Sequence, residues 1–171
     1  RGVINSHRET FGPQDEFGYK VFIPMFKAEH YDPVAWVELF RKAGARYVMP
    51  VAEHHDGFAM YASDLTEWDV MDKGPQRDLM GELADAARAA GLVFTLSNHR
   101  MEHWNFMYPA PGLKTDLFDP AYAEFYGPPQ GQTESTQNAE EVFTGVRAPQ
   151  SAAFQEEWLR RNQELVDKYR P

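Results

Sequence analysis

Tyr47-Val48-Met49-Pro50-Val51-Ala52 runs straight into Glu53-His54-His55-Asp56-Gly57-Phe58, an apolar stretch that ends on four consecutive ionisable or metal-capable side chains. A short apolar run with little alternation reads as a strand over 46–52 that is covered on both faces. Four polar groups at its mouth are costly for packing alone, because buried charge must be paired or hydrogen-bonded. The cluster is therefore a candidate site, and the flanking sequence shows what kind of fold presents it.

Upstream, Asp32-Pro33 gives a helix start, since Asp caps free amides and Pro suits the first helical position. Trp36, Leu39, Phe40 and Ala43 then form one apolar stripe, and Gly44 closes the helix. Downstream, a second helix over about 78–90 carries Leu79, Met80, Leu83, Ala86, Ala87 and Ala90 and stops at Gly91. Val93-Phe94-Thr95-Leu96-Ser97 is a second short strand, followed at once by Asn98, His99, Arg100, Glu102, His103 and Trp104. Helix–strand–helix–strand alternation implies parallel strands joined by crossover helices. Both polar clusters follow strand C-termini, the ligand-binding edge of a parallel α/β sheet or barrel, so they are expected to share one site.

The ends are less regular. Residues 1–26, punctuated by Gly2, Gly12, Pro13, Gly18 and Pro24, read as a loop-rich lead-in in which only 19–23 looks extended. Residues 105–151 are a long Pro- and Gly-rich excursion whose aromatic residues, among them Phe106, Tyr108, Phe118, Tyr122 and Phe125, favour an ordered flap with a short helix after Asp119-Pro120. A third helix, over about 153–169, puts Phe154, Trp158, Leu165, Val166 and Tyr169 on one face. The fold expected is α/β. A complete (β/α)8 barrel takes ~250 residues, so the chain holds about three βα units of one, or a small open sheet, with 1–171 forming part of a single domain.

Composition narrows the function. The formal net charge of −9 argues against a general nucleic-acid surface, which needs clustered Lys and Arg. There is no cysteine, hence no disulfide and no thiolate metal site, and the compartment is left open. No apolar run approaches the ~20 residues of a membrane helix.

Three readings of the central cluster stand side by side. His54, His55 and Asp56 can hold a metal only if the chain turns sharply, because adjacent side chains in extended backbone point to opposite faces; Gly57 permits such a turn. One His can instead be a satisfied structural residue beside an Asp56-Gly57 turn. Thirdly, imidazoles, a carboxylate and nearby Trp68 suit a pyranose, with hydroxyls at its rim and C–H bonds on its faces, bound for reaction or simply held by a non-catalytic carbohydrate-binding module. In the second cluster, Arg100 and Glu102 can simply pair with each other, and His103 and Trp104 can anchor the flap. Asp78 reads as a helix cap, Arg77 as structural, and Trp36, Phe40, Trp158 and Tyr169 as core.

Ala28-Glu29-His30-Tyr31-Asp32-Pro33 with Trp36, then Ala43-Gly44-Ala45-Arg46-Tyr47-Val48, then Glu53-His54-His55-Asp56-Gly57-Phe58, Ser63, Thr66, Trp68, and Gly74-Pro75-Gln76-Arg77-Asp78 with Gly81-Glu82-Leu83 together resemble family 29 glycoside hydrolases, the α-L-fucosidases. The resemblance spans roughly 17–104 and continues more weakly to Pro171. It implies part of a TIM-like catalytic barrel, retaining hydrolysis of terminal α-L-fucosyl residues, a fucosylated glycan or glycoside as substrate, and neither metal nor cofactor. Substrate-binding roles would fall to His54, His55, Trp68, Ser97, His99 and Glu102. Of these, His54 and His55 match the family's histidines that hydrogen-bond fucose hydroxyls, and Ser97 falls where some members carry a substrate-binding Tyr. The Ser97-to-Trp104 segment resembles a bacterial variant. A retaining glycosidase needs two carboxyls about 5–5.5 Å apart. The resemblance puts the nucleophilic Asp and the acid/base beyond Pro171 and the first barrel strand before Arg1, with Glu53 and Asp56 in hydrogen-bonding roles. No catalytic residue is then expected within the chain.

Overall fold

A computed structural model describes residues 2–103, 114–127 and 151–171. The parallel pairing expected of the two apolar runs is present. The first run forms β1 (Tyr47–Val48) and β2 (Val51–Glu53), and the second forms β3 (Val93–Phe94) and β4 (Ser97–Asn98). β1 pairs with β3, Tyr47 opposite Val93, and β2 pairs with β4, Val51 opposite Ser97, with a register shift between Val51 and Glu53. Each run is divided because Pro50 has no N–H to give to the ladder. The bonding nevertheless continues on one side, from Thr95 N to Val48 O and from Ser97 N to Pro50 O at 2.9 and 3.1 Å.

Between the strands lie helices whose ends follow the local chemistry. In α2 (Pro33–Lys42), Asp32 accepts a hydrogen bond from Ala35 N at 3.0 Å, and Gly44 takes the left-handed conformation that lets the chain leave. In α3 (Leu79–Ala89), Asp78 accepts from Gly81 N at 3.0 Å, and Leu79, Met80, Leu83, Ala84 and Ala87 are buried. α2 packs on α3 and α3 on β3. The stripe read for α2 is shifted, however: Val37 is its buried residue, Phe40 is half-buried, and Trp36 and Leu39 are exposed. Nor are the strands covered on both faces, since Tyr47 (65%), Met49 (57%) and Val93 (61%) face solvent while Ala52 and Phe94 are buried. Among the described residues only the helix-facing side has a cover.

The lead-in is helical rather than a loop. Gly2–Phe11 forms α1, which Gly12 ends at positive φ, and Tyr19–Met25 is a 3-10 helix, not an extended segment. Phe11, Phe17 and Phe22 pack with His7 into an aromatic group that does not depend on alternation. Asp116 ties this segment to the flap by an ion pair with Lys20 and a hydrogen bond from Tyr126 Oη at 3.1 Å. The short helix expected after Asp119-Pro120 is present as Pro120–Tyr122 and Ala123–Tyr126, with Phe125 and Tyr126 buried. Trp104 and flap residues 105–113 and 128–150 lie outside the described residues.

The C-terminal helix, Ala152–Tyr169, is capped by Ser151 and buries Phe154, Arg161, Leu165 and Tyr169. Val166 is exposed, contrary to the apolar face read from sequence, and Arg161 occupies the buried stripe instead because an acidic partner meets it. Tyr169 Oη donates to the Asp78 carboxylate at 2.9 Å, so one side chain both caps α3 and docks the last helix. Arg77 is structural, donating to Glu82 and to Tyr31 O. Replacing Asp78 with Ala removes both contacts and is expected to cost about 2 kcal/mol in urea unfolding, against about 1 kcal/mol for Tyr169→Phe; equal costs would show that the cap carries none of it.

Candidate functional site

Glu53, the last residue of β2, is fully buried. Arg100 Nη1 donates to its Oε1 at 3.1 Å and Arg161 Nη1 at 3.0 Å. Both guanidiniums also bond Glu157 Oε1 at 2.9 Å, and Asn98 Nδ2 reaches Glu53 Oε2 at 3.4 Å. Burial raises the pKa of the Glu53 carboxyl from its ordinary value, while Arg161 and Arg100 oppose that shift. The pairing read between Arg100 and Glu102 does not occur, because Arg100 turns inward to Glu53 and Glu157.

Immediately after Glu53 the chain turns. Gly57 N bonds His54 O at 3.1 Å, and Gly57 has a φ of +84°. A Cβ there would stand 2.5 Å from Arg100 Nη1, so both the conformation and the space require glycine. The turn brings His54 and His55 to one side of the backbone, their ring centroids 4.2 Å apart. His99, at the exit of β4, joins them at 5.0 Å from His54 and 5.4 Å from His55. One nitrogen from each of the three rings lies within 4.8 Å of the others. His55 is nearly buried and donates from Nδ1 to His99 O at 3.0 Å, and its Nε2 stands 3.6 Å from Glu102 Oε2. Burial lowers the His55 pKa, with His54 and His99 pushing the same way and the His99 carbonyl and Glu102 opposing. Asp56 is absent from the trio. It points toward the lead-in, where Tyr19 Oη donates to it at 2.8 Å, so the alternative grouping of Asp56 with His54 and His55 does not form, and the side chain that joins the two histidines is His99.

His54 and Asp56 stand at the wall of a cleft of about 410 Å³ whose other lining residues include Tyr19, Phe22, Phe26 and Phe58. The structure thus gathers four of the sequence-expected residues, His54, His55, His99 and Glu102. Ser97 pairs with Val51, which lines the cleft, without lining it itself. Trp68 stacks on Phe125 at 4.5 Å, with Lys73 Nζ 5.6 Å from its ring, and is outside this lining. Sequence reasoning missed the aromatic wall from 19–26, because those residues read as lead-in. It also missed Arg161, which lies 108 positions from Glu53 with no local pattern linking the two.

His103 is fully buried, with Nδ1 facing His55 O and Nε2 2.7 Å from Tyr126 O. It anchors the flap segment to the histidine turn, as its place in the sequence suggested.

The family model described as alpha-L-fucosidase matches residues 2–171. The chain belongs to the alpha-L-fucosidase family. It is 39% identical over 115 residues to the tissue alpha-L-fucosidase of Rattus norvegicus and 37% identical over 115 residues to that of Homo sapiens, each alignment covering 65% of this chain and 24% of the relative. Its fold is similar to the crystal structure of Thermotoga maritima alpha-fucosidase in complex with fucose, with a TM-score of 0.69 and 32% identity over 98% of this chain and 32% of that one. The chain therefore spans about a quarter of the length of these curated relatives and about a third of that solved structure.

Two outcomes follow for this member of the alpha-L-fucosidase family. Glu53→Gln leaves two buried guanidiniums facing one remaining carboxylate and is expected to cost about 3–5 kcal/mol in chemical unfolding; a loss within error of zero would show that Glu157 alone neutralises them. Burial, with Arg100 beside it, holds His103 down to about 4. A histidine depressed in the folded state contributes stability that is complete above its unfolded pKa of about 6.5 and is lost as pH falls toward 4, here on the order of 3 kcal/mol. Subtracting the His103→Asn stability profile from the wild-type profile between those pH values isolates this step; a flat difference refutes it.

Proposed function

We propose that this chain forms about three βα units of a (β/α)8-type catalytic barrel and supplies part of its fucose pocket. In the protein it belongs to, the reaction is retaining hydrolysis of terminal α-L-fucosyl residues of glycans or glycosides. The observation that carries this reading is the convergence of His54, His55 and His99 on one side of the Gly57 turn, at the C-terminal ends of two parallel strands and beside an apolar cleft. Neutral imidazoles donate and accept, which suits hydroxyl groups, and the aromatic wall from Tyr19 to Phe26 suits the sugar's C–H faces. Membership of the alpha-L-fucosidase family and the likeness to a fucosidase described in complex with fucose support the same substrate class.

His54, His55 and His99 hold hydroxyls, with Glu102 as a further acceptor; Trp68, stacked on Phe125, and Ser97, paired with Val51, act from outside the cleft lining. The nucleophile and the acid/base are not assigned to these residues. Glu53 is committed to two guanidiniums and Asp56 to Tyr19, so neither is available to attack or to shuttle a proton. The chain spans a quarter to a third of its relatives, consistent with catalytic carboxylates supplied from outside these residues.

Titration with L-fucose is expected to show weak saturable binding, and His54→Ala to weaken it about tenfold, the value of one good hydrogen bond. No binding at millimolar concentration overturns the pocket. An aryl α-L-fucoside is expected to remain intact with the 171-residue chain alone, and measured hydrolysis overturns the assignment of the carboxylates.

A further inference from the structure

The three histidines meet a second chemistry as well as they meet hydroxyls. We propose that His54, His55 and His99 bind a borderline divalent transition-metal ion, with Zn2+ as the representative, and that the ion and the sugar exclude one another. The site requires no sugar; the exclusion rests on the fucose-pocket reading.

Imidazole nitrogen is a favoured ligand of such ions, and three histidines with water in the fourth position are a familiar donor set for zinc. Zinc binds nitrogen at about 2.0–2.1 Å, which places the nitrogens of a tetrahedral set roughly 3.3 Å apart. The three ring nitrogens already lie within 4.8 Å of one another. His54 is exposed and its ring is free to rotate the remaining ångström or so inward, whereas His55 is held. The holding is itself what a metal ligand needs. His55 Nδ1 donates to His99 O at 3.0 Å, which fixes the ring orientation and leaves Nε2 as the lone-pair nitrogen. The same bond ties His55 to the backbone of the third ligand. Glu102 Oε2 lies 3.6 Å from that Nε2 but outside the set of three mutually close nitrogens, so the fourth position falls to water and Glu102 to a hydrogen-bonding place beside it. Asp56 is excluded by its bond from Tyr19.

Exclusion follows from shared atoms. A lone pair given to a metal cannot accept a sugar hydroxyl, and an ion beside the cleft wall at His54 occupies the place of the hydroxyl it would hold. The predicted role is inhibitory occupancy of the pocket, with no part in bond cleavage.

The test is calorimetric titration of the metal-free chain with ZnCl2, with MgCl2 as the oxygen-preferring control. The expected result is one saturable zinc site at micromolar concentration and none for magnesium, with zinc affinity falling about tenfold or more in His54→Ala and in His99→Gln and unchanged in His30→Ala, an exposed histidine elsewhere. Ring-proton NMR of the wild type with zinc provides a readout that needs no variant, and shifts confined to three histidine spin systems support the site. Equal zinc affinity in wild type and His54→Ala, or loss only in His30→Ala, overturns it. Fucose titrated in the presence of chelator separates the two readings: fucose binding without zinc binding sinks the metal site alone. Zinc binding that millimolar fucose leaves unweakened, although fucose itself binds, sinks the exclusion.

Discussion

A carboxylate with no exposed surface sits where a strand ends, and two guanidiniums close over it. Burying Glu53, Arg100 and Arg161 costs several kcal/mol of lost hydration per ion, which mutual attraction offsets only when the geometry is good and the remaining donors are satisfied. Here Glu157 accepts from both arginines and is itself partly exposed, so the cluster keeps a path to water at one edge. The arrangement joins the end of β2, the exit of β4 and the middle of the C-terminal helix. That helix is then fixed in register by Glu164 accepting from Ser63 Oγ at 2.9 Å and Lys168 Nζ donating to Ala62 O at 2.7 Å. Removing any one member leaves an uncompensated charge inside, so the site inherits its rigidity from this cluster.

The geometry of the histidines depends on the same arginine. Alternation in a strand would send His54 and His55 to opposite sides. The Gly57 turn overrides it, and the space that forbids a side chain at Gly57 is filled by Arg100 Nη1. One guanidinium therefore neutralises Glu53 and packs against the turn that gathers the rings. His103, buried next to Arg100, takes the carbonyl of His55 from below and reaches Tyr126 on the far side, so the flap segment is keyed to the same turn.

Features with a local physical cause were legible in the sequence. Asp32, Asp78 and Gly44 announce helix ends because capping is decided within three residues, and the two apolar runs announce parallel strands because helices intervene. The paired histidines marked the position of the candidate site, and Gly57 the turn that gathers their rings. Features decided by distant partners were not legible. Arg161 inside a helix reads as solvent-facing until Glu53 is placed against it, and Val37 displaces Trp36 from the core because the angle at which α2 meets α3 is not written in either helix. The lead-in failed for a different reason: its glycines and prolines suggested loops, yet Gly12 serves as a helix terminator and Pro24 sits inside a 3-10 turn that tolerates it.

The distribution of charge is compatible with the neutral polyhydroxyl ligand proposed for the cleft, despite a net charge of −9. The strongest charges near it are already spent, Glu53 on two arginines and Asp116 on Lys20, while Asp56 is engaged by a tyrosine hydroxyl. What remains along the rim is imidazole, with the Glu102 carboxylate beside His55, and burial lowers the His55 pKa. A neutral imidazole offers one donor and one acceptor in fixed directions, the complement of a hydroxyl, and exacts no desolvation of a full charge when a sugar displaces water. The lone pair of a neutral imidazole is equally a ligand for a metal ion. Between the two proposed ligands, the apolar wall from Tyr19 to Phe26 would add contact area for a pyranose ring and nothing for a bare cation.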